Sequence, residues 1–468
     1  MFNSLLAGTL ALLSAPAPDS AARAVLDTSL ARMGGLAALS AVERVELQVM
    51  TEWQRTTFDA RPAPTVLSYE LSTELRDYTV PAWRYSRRFY APSGTIDVVD
   101  IVTDSVAAVW MKGRWRAQNR AYVEEREEAF TFAPERVVRL ARAAPDARAL
   151  GDTIIGGVRY ARVVATVGRF HPTLHFRRGD GLLALVRFRA AQPDDFGLAP
   201  WGAMEVAIWY SSWRMIGESG LALPMQLDVW RVGRPYKRMT TLSAKVNPVI
   251  AADSFAITDS LRASFLATAR RPMFDLPMDS ARIVDGAFAS FGAPGTPAGA
   301  VKIGGRWLLI EAGTAPLTVE RSVAYLQRSD PGAALGGALV TAASGAGGVA
   351  WLARQRTPLW VVGSAQHYAE AALAGAGERA AKAEVVTSDR WIRLGSDSLR
   401  VEMVDLPDYP ATPVVWVPSL HWAYASPAGP LQVELVKAYI RGRGWRIDRV
   451  GNVRNLAGVQ LQASSARP

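Results

Sequence analysis

Cysteine is absent from this chain of 468 residues, and histidine occurs only four times. Without cysteine, the chain can form no disulfide, zinc–thiolate site or cysteine nucleophile, and it offers no cysteine for an acyl anchor. The four histidines are His171, His175, His367 and His421. A catalytic zinc ion usually takes three protein ligands, mostly imidazole or carboxylate groups. The scarcity of histidine therefore leaves little room for metal chemistry.

Long apolar runs are also missing, because no later segment offers 18 uninterrupted apolar residues for a membrane span. Residues 1–17 hold a shorter apolar core that ends in Ala15-Pro16-Ala17. This pattern predicts a secretory signal peptide over 1–17, and hence a periplasmic or secreted protein. No Lys or Arg precedes the core, so a misassigned start codon and a buried N-terminal helix are the alternative interpretations.

The charge is basic but dispersed along the chain. The net charge is +10 and the isoelectric point is near 9.9, yet no long run of Lys or Arg occurs. Because nucleic-acid sites need clustered basic residues, no nucleic-acid partner is expected. Peripheral contact with anionic lipid or cell-wall polymer stays open. With 49% hydrophobic residues and this length, the chain is expected to bury the cores of two or three domains.

Residues 18–258 have the pattern of one large β domain. Residues 21–38 predict an Ala-rich helix that stops at Gly34-Gly35. From residue 42 to residue 257, runs with alternating apolar and polar residues predict a large antiparallel sheet with one wet face. A helix-like insert near 134–142 interrupts these runs.

This pattern resembles the lipoprotein-carrier type of half-barrel. The resemblance depends on the initial helix with Gly34-Gly35 and on three later segments, 178–183, 210–225 and 247–255. It covers about half of the chain and implies a concave sheet that holds an apolar ligand. The expected partner is therefore an unidentified apolar ligand or another envelope component.

After a predicted linker at 259–280 the composition changes to Ala- and Gly-rich strand–turn–helix units. These units define a second domain at 281–460, followed by a tail at 461–468. The runs 307–313 and 339–348 are both apolar and both end in small-residue turns. In strand–helix folds such turns carry the chemistry, but here they contain almost no chemical side chains.

The second domain resembles the metallo-β-lactamase superfamily. Segments 283–288, 300–303 and 307–312 resemble its opening strands, and residues 341–348 stand where the superfamily carries T-H-x-H-x-D-H-x-G-G. The resemblance implies an αββα sandwich and, for the whole chain, an α+β fold with an N-terminal antiparallel half-barrel. This order of domains also resembles a class of exported metallohydrolase relatives.

The resemblance assigns metal-ligand positions to residues that cannot bind a metal. With Gly347-Gly348 as the anchor, four positions fall on Val340, Ala342, Ser344 and Gly345. An alignment on Thr341 instead needs a two-residue deletion and supplies no ligand either. The position of the third histidine falls on Asp408 and that of the bridging aspartate on Ser426, while residues 451–454 lack the last histidine.

The sequence therefore predicts no metal, no cofactor and no catalytic residue of the superfamily type. Zinc needs imidazole, carboxylate or thiolate ligands, and Asp408 alone cannot hold it. Ser344 lacks a G-x-S-x-G elbow, and residues 342–348 lack the G-K-[ST] of a phosphate loop. Acidic residues at the position of Glu311 have a structural role in the resembled superfamily, which implies the same role here.

The sequence around each of the four histidines favours a structural role over a catalytic or metal-binding one. His367 is expected near the start of a helix, and His421 is expected in a hairpin turn. His171 and His175 have the i, i+4 spacing of a metal pair, but that spacing favours a site only on a helix. Pro172 and the surrounding strand pattern argue against a helix there.

Three functional hypotheses follow. The leading one is a non-catalytic envelope protein with a metallo-β-lactamase fold, acting as a binding module or scaffold. The second is a hydrolase with relocated chemistry that uses Asp408, Ser426 or His421. It fails if Val340, Trp416 or Trp422 fills the old cleft. The third is an envelope interaction protein that uses the basic surface.

Overall fold

The computed structural model describes residues 19–55, 65–91, 94–118, 120–191, 203–268, 281–291, 299–313, 315–374, 382–407, 409–425, 430–452 and 455–460. The predicted signal peptide at 1–17, Asp408, Ser426 and the tail at 461–468 lie outside the described residues. The side chain of Ser344 is not described either.

A 13-stranded sheet forms the N-terminal domain, and all of its neighbouring strands pair antiparallel. The predicted large antiparallel sheet is thus confirmed. Its strand order is β6-β5-β4-β3-β2-β1-β13-β12-β11-β10-β9-β8-β7. The strands are β1 (Arg44–Arg55), β2 (Thr65–Asp77), β3 (Ala82–Ala91), β4 (Gly94–Val102), β5 (Ala107–Met111), β6 (Arg114–Ala117), β7 (Arg148–Ile155), β8 (Val158–Val164), β9 (Thr173–Arg177), β10 (Leu183–Ala191), β11 (Ala203–Ile216), β12 (Leu221–Arg231) and β13 (Arg234–Val246).

The helices α1 (Ser20–Arg32), α2 (Leu36–Ser40), α3 (Ala121–Thr131) and α4 (Pro134–Ala143) accompany this sheet. The carboxylate of Asp19 caps α1 by accepting from the N–H of Ala21 at 2.8 Å, and it also accepts from the N–H of Ala149 at 2.8 Å. Gly34, with φ 113°, ends the first helix as predicted. A Cβ there would lie 3.0 Å from Leu221 Cδ2, so only glycine allows this close approach.

Strand β2 has the reverse of the usual polarity. Its inward face is polar and buried, with Ser68, Glu70, Ser72, Glu74 and Arg76 each at most 7% exposed. Its outward face carries apolar side chains, such as Tyr69 at 50% and Leu71 at 43% exposure. The domain interior is therefore a mixture of an apolar core around α1 and a polar region beneath α3.

The C-terminal domain contains two further sheets. The seven-stranded sheet runs in chain order through β14 (Arg282–Val284), β15 (Phe288–Ser290), β16 (Gly299–Ile303), β17 (Arg306–Ile310), β18 (Leu335–Val340), β19 (Leu359–Val362) and β20 (Ala383–Val386). The six-stranded sheet runs in the same way through β21 (Arg390–Leu394), β22 (Asp397–Leu406), β23 (Tyr409–Val417), β24 (Trp422–Ala425), β25 (Arg449–Asn452) and β26 (Asn455–Gln460).

These sheets pack face to face with helices on both outer sides. One core cluster joins the two sheets, with members such as Leu308 and Val415. A second cluster packs α6 (Pro316–Ser329), α7 (Val349–Arg354) and α8 (Gly363–Leu373) on the seven-stranded sheet. A third packs α9 (Pro430–Gly442) on the six-stranded sheet. The layer order is α, β, β, α, in agreement with the predicted α+β fold class.

The segment predicted as a linker begins with α5 (Asp259–Thr268). Phe265 of this helix is 2% exposed and packs in one cluster with Trp83 and Val102 of the N-terminal sheet. The β12–β13 turn reaches the second domain, where the Nε2–H of His367 donates to the backbone oxygen of Val232. Within the described ranges, no helix is both long and apolar enough to span a bilayer.

Candidate functional site

The loop at 341–348 lies at the end of β18, which runs parallel to both β17 and β19. The carboxyl ends of parallel strands are the usual place for a site in such sheets. Here Val340 is 0% and Ala342 1% exposed, and Gly345 is buried in a short 3₁₀ helix, Ala343–Gly345. The structure thus brings three of the six predicted positions together, at the end of β18 and in the buried loop that follows it.

Glu311 occupies the centre of this region. It follows β17 with φ 65° and is 1% exposed. Its carboxylate accepts from the N–H of Thr341 at 3.1 and 3.2 Å, from the N–H of Ala342 at 3.3 Å and from the hydroxyl of Tyr424 at 3.1 Å. The hydroxyl of Thr341 also donates to it. Glu311 therefore fastens the loop to β24 of the other sheet, a structural role like the one that the resemblance implies.

Burial raises the pKa of Glu311 to about 7. The hydrogen bonds from Thr341, Ala342 and Tyr424 oppose this rise, because they favour the ionised form. The effect of burial exceeds theirs, so the carboxyl group holds its proton up to neutral pH.

Glycine is required where the loop passes Glu311. A Cβ at Gly345 would lie 2.8 Å from both Cβ and Cδ of Glu311, and closer still to Oε2. At Gly348, a Cβ would lie 2.8 Å from Cβ of Val319. Carbon atoms in contact sit about 3.5–4.0 Å apart. A ligating side chain at position 345 therefore has no space while Glu311 keeps its place.

The residues present do not fit the metal pair of the superfamily. Val340, Ala342 and Gly345 have no side-chain donor atoms, and Glu311 is already hydrogen-bonded on both oxygens. Over the part of the chain that the structure describes, no group of three His, Asp or Glu residues is arranged to hold a metal ion. The predicted positions Asp408 and Ser426 lie outside that part.

The histidines occupy four separate places. His421 lies in the turn between the antiparallel strands β23 and β24, which confirms the predicted hairpin position, and its Nδ1 is 3.1 Å from Asp448 Oδ2. His367 lies within α8 as a domain contact. His171 contacts Thr166 Oγ1 at 3.0 Å. His175 is buried in β9, so the i, i+4 pair is not on a helix.

Two tryptophans named in the relocated-chemistry hypothesis are placed differently. Trp422 is 0% exposed and belongs, with Tyr424, to the core between the two sheets. Trp416 faces away from that core and stacks on Trp445, with ring centroids 4.6 Å apart. Val340 is buried in the other cluster, between the seven-stranded sheet and its helices. The relocated-chemistry hypothesis stays a prediction, because Asp408 and Ser426 lie outside the described residues.

A cavity of about 80 Å³ lies in the N-terminal domain. One wall is the inward face of the sheet and the other is α3. Apolar or aromatic side chains cover most of it, among them Trp53, Trp83, Phe132, Ile208, Leu227, Val229 and Met239. The sequence predicted a concave apolar site, but it gave no signal for α3, whose Glu-rich sequence lacks a clear apolar stripe.

Charged residues also line this cavity, which the sequence analysis did not anticipate. Arg76 is 6% exposed and pairs with Glu74 at 2.6 Å. The guanidinium of Arg231 lies 3.9 Å from the ring centre of Tyr236, and Nζ of Lys237 lies 5.2 Å from that of Trp53. Glu125 and Glu128 face the cavity from α3.

A second polar network lies beside the cavity, behind Tyr85. Arg87 approaches Asp100 at 2.8 Å and Glu70 at 3.6 Å, and the hydroxyl of Tyr85 donates to Glu70. Burial raises the pKa of Asp100 to about 6, although Arg87 opposes the rise. The alternating Ser and Glu residues of β2 were the signal that could have indicated this polar interior.

No family model matches the chain, and no curated protein matches it. Solved structures of two kinds are similar to it. A DUF1329 family protein from Desulfovibrio piger covers 50% of this chain and 97% of its own, at 9% identity and a TM-score of 0.32. A LolA superfamily protein from Nitrosomonas europaea covers 51% of this chain and 99% of its own, at 11% identity and a TM-score of 0.30.

The other kind is represented by a metallo-β-lactamase from Pontibacter korlensis. It covers 37% of this chain and 89% of its own, at 12% identity and a TM-score of 0.27. Solved structures of both kinds, carrier-like and metallo-β-lactamase, are thus similar to parts of this chain. Since the TM-scores lie below 0.5, the fold assignment depends on the strand order and packing described above.

Proposed function

We propose that this chain is a non-catalytic envelope protein with a metallo-β-lactamase-like C-terminal domain that serves as a scaffold. The N-terminal domain is the binding module and takes a partly apolar ligand in its cavity. One observation carries the first part of the proposal. The side chain of Glu311 fills the space beside Gly345, where a metal-binding side chain would have to stand.

The chemistry of the superfamily requires a metal-bound water, whose lowered pKa makes it a nucleophile at neutral pH. Such a site needs several imidazole or carboxylate ligands around an open position. Val340, Ala342 and Gly345 supply none, and their loop is buried. A scaffold role needs only the packing between the sheets, which the Glu311–Tyr424 hydrogen bond supports.

The cavity supports the second part of the proposal. Its aromatic and aliphatic lining is of the kind that binds small apolar molecules. A periplasmic or secreted location remains part of the proposal, in line with the predicted signal peptide at 1–17.

Metal analysis with a turnover assay tests the scaffold role. The purified full chain is incubated with excess zinc or iron, dialysed and analysed for bound metal, then assayed with chromogenic β-lactam and ester substrates. We expect far less than one metal ion per chain and no turnover above buffer. Stoichiometric metal together with turnover that a chelator abolishes would overturn the proposal.

Retained turnover after chelation would instead support a hydrolase with relocated, metal-independent chemistry. Asp408, Ser426 and His421 are the residues to substitute in that case. Loss of this turnover in Ser426→Ala, with the folded state intact, would identify the alternative function.

A further inference from the structure

We propose that the β5–β6 hairpin of the N-terminal domain docks on a lipid bilayer with anionic head groups. The observation behind this inference is the tip of the hairpin, where two tryptophans stand beside three exposed cations. The inference goes beyond the proposed function, because the scaffold role and the ligand cavity would both remain without it.

The tip of the hairpin presents an aromatic surface. The hairpin ends the 13-stranded sheet, because β6 is its edge strand, and it turns at Lys112-Gly113, where both residues have positive φ. Trp110 and Trp115 are directly opposite in the strand register, so the two rings lie on the same face. Trp115 is 40% exposed and Trp110 is half-buried. An apolar surface that approached the tip would therefore meet both rings.

Three cations surround this aromatic pair. Lys112 lies in the turn, Arg114 and Arg116 lie on β6, and all three are exposed. None of them has an ion-pair partner within the described ranges. Arg88, on the same sheet, is instead paired with Asp97 at 2.8 Å, so that pair adds no net charge. The three cations of the hairpin are thus available to an anionic surface.

The aromatic pair continues into an apolar part of the outward face of the sheet. Val99 is opposite Trp110 in the register and lies on the same face. Together with Leu71, Tyr90 and Leu242, it lines a groove of about 470 Å³. These three partners of Val99 are between 40% and 56% exposed. The outward polarity of β2 therefore extends the apolar surface of the hairpin.

The base of the hairpin is held by packing, so the tip is presented by a fixed element. Ala107, at the start of β5, is 0% exposed and belongs to one core cluster with Phe265 of α5. Ala117, at the end of β6, packs against the same cluster. Because the tip lies outside this core, substitutions there should leave the fold intact.

A lipid surface fits this combination of side chains. Tryptophan is enriched at the level of the head groups of a bilayer, and long basic side chains reach from there towards the phosphates. Anionic lipid adds an attraction for each Lys or Arg near the surface. A protein interface fits less well, because lysine is depleted from such interfaces. A soluble anionic polymer would leave the apolar groove without a contact.

Cosedimentation of the full chain with vesicles tests the proposal. One set of vesicles is pure phosphatidylcholine, and the other contains added phosphatidylglycerol. We expect binding to the anionic vesicles alone, and a loss of binding when salt screens the charges. Lipid that is brominated on its acyl chains should also quench part of the tryptophan fluorescence of the parent chain, a measurement that needs no variant.

A charge variant locates the contact at the tip. Lys112→Glu combined with Arg114→Glu should weaken binding to the anionic vesicles about tenfold or more, because two attractions become repulsions. Its control is Arg393→Glu combined with Arg446→Glu, at two exposed positions of the C-terminal domain. The control makes the same change in net charge and should bind as the parent chain does.

An aromatic variant tests the apolar part of the contact. Trp115→Ala should weaken binding about fivefold, since the exposed part of the ring no longer leaves water. It should also remove much of the quenching by brominated lipid. Trp391→Ala is the control, because Trp391 is an exposed tryptophan of the C-terminal domain, at 48%. This control should keep both the affinity and the quenching of the parent chain.

Three results would overturn the proposal. The first is equal binding to both kinds of vesicle or to neither, and the second is equal binding by the tip variants and their controls. The third is full vesicle binding by Trp115→Ala together with displacement of that variant and of the parent chain by dextran sulfate, which would make the hairpin a site for a soluble anionic polymer. These assays use no metal and no cavity ligand, so their failure leaves the proposed function intact.

Discussion

In the C-terminal domain, the carboxyl group of Glu311 lies where the first atom of any side chain at residue 345 would be. Gly345 has no side chain, so it leaves this space to Glu311. A Cβ at Gly345 would be 2.8 Å from Cδ of Glu311. The same carboxyl group binds Thr341, Ala342 and Tyr424. At the position that resembles a metal site, a side chain of the protein itself thus fills the space beside the loop.

Gly345→Ala should lower the free energy of unfolding by about 1–3 kcal/mol, the usual cost of overpacking a rigid core. Urea denaturation measures this change. Gly442→Ala is the control, because a Cβ there has no atom within 4 Å. In a double-mutant cycle with Glu311→Ala, the cost of Gly345→Ala should shrink. An unchanged cost in that background would contradict the shared space.

Glu311 should make the C-terminal domain more stable at acidic pH than at neutral pH. Its pKa rises from 4.5 in the unfolded chain to about 7 in the folded one, so the folded state binds the proton more tightly. The associated stability is complete below pH 4.5 and is lost as the pH rises to 7. The loss amounts to about 3 kcal/mol at 1.36 kcal/mol per pKa unit.

Glu311→Gln keeps the shape of the protonated carboxyl group and should remove this pH dependence. The measurement compares the unfolding free energies of the two chains at several pH values between 4 and 8. The parent chain should lose stability relative to Glu311→Gln as the pH rises. Parallel curves for the two chains would show that Glu311 does not titrate in this range.

His175 should give the N-terminal domain the opposite pH dependence, with lower stability at acidic pH than at neutral pH. Burial, with the nearby charge of Arg187, lowers its pKa from 6.5 to about 4. The unfolded chain therefore takes up the proton first, and stability is lost as the pH falls from 6.5 to 4. His175→Asn should be less sensitive to acid than the parent chain in urea denaturation. His171→Asn, at an exposed position, is the control and should retain the sensitivity.

The contact between His367 and Val232 should couple the two domains. His367→Ala removes the hydrogen bond to the backbone oxygen of Val232, a loss of about 1 kcal/mol. Faster amide exchange in α8 and in the β12–β13 turn is the expected result. Gln366→Ala is the matched control, because Gln366 bonds Glu370 within the same helix. Equal exchange in both variants would show that the contact carries no coupling.

The sequence predicted the elements whose residues alternate or repeat locally. The strands around Val45–Val49 and Ala107–Met111, the helix at 134–142 and the break at Gly34-Gly35 all appear in the structure. The helix α3 was missed because its apolar residues do not form a clear stripe. The polar interior was missed because β2 inverts the rule that apolar residues face inward.

The filling of the candidate site by Glu311 could not be predicted from the sequence either. Residue identities at 340–345 were enough to predict the loss of metal ligands, since Val, Ala and Gly have no donor atoms. The role of Glu311 depends on its approach to Gly345 and on the hydrogen bond from Tyr424, 113 residues further along the chain. Contacts at such separations follow from the packing of the two sheets, and residue spacing does not indicate them.

The inverted strand β2 has a consequence for how the chain folds. Adjacent residues of a strand point to opposite faces, so a shift of one residue in its pairing would turn Tyr69 and Leu71 inward and Glu70 outward. Hydrophobic collapse therefore favours the wrong register early in folding, and the native one must displace it. A slow refolding phase is expected, and Leu71→Ser should reduce its amplitude by weakening the competing register. A single fast phase in both chains would show that no such competitor forms.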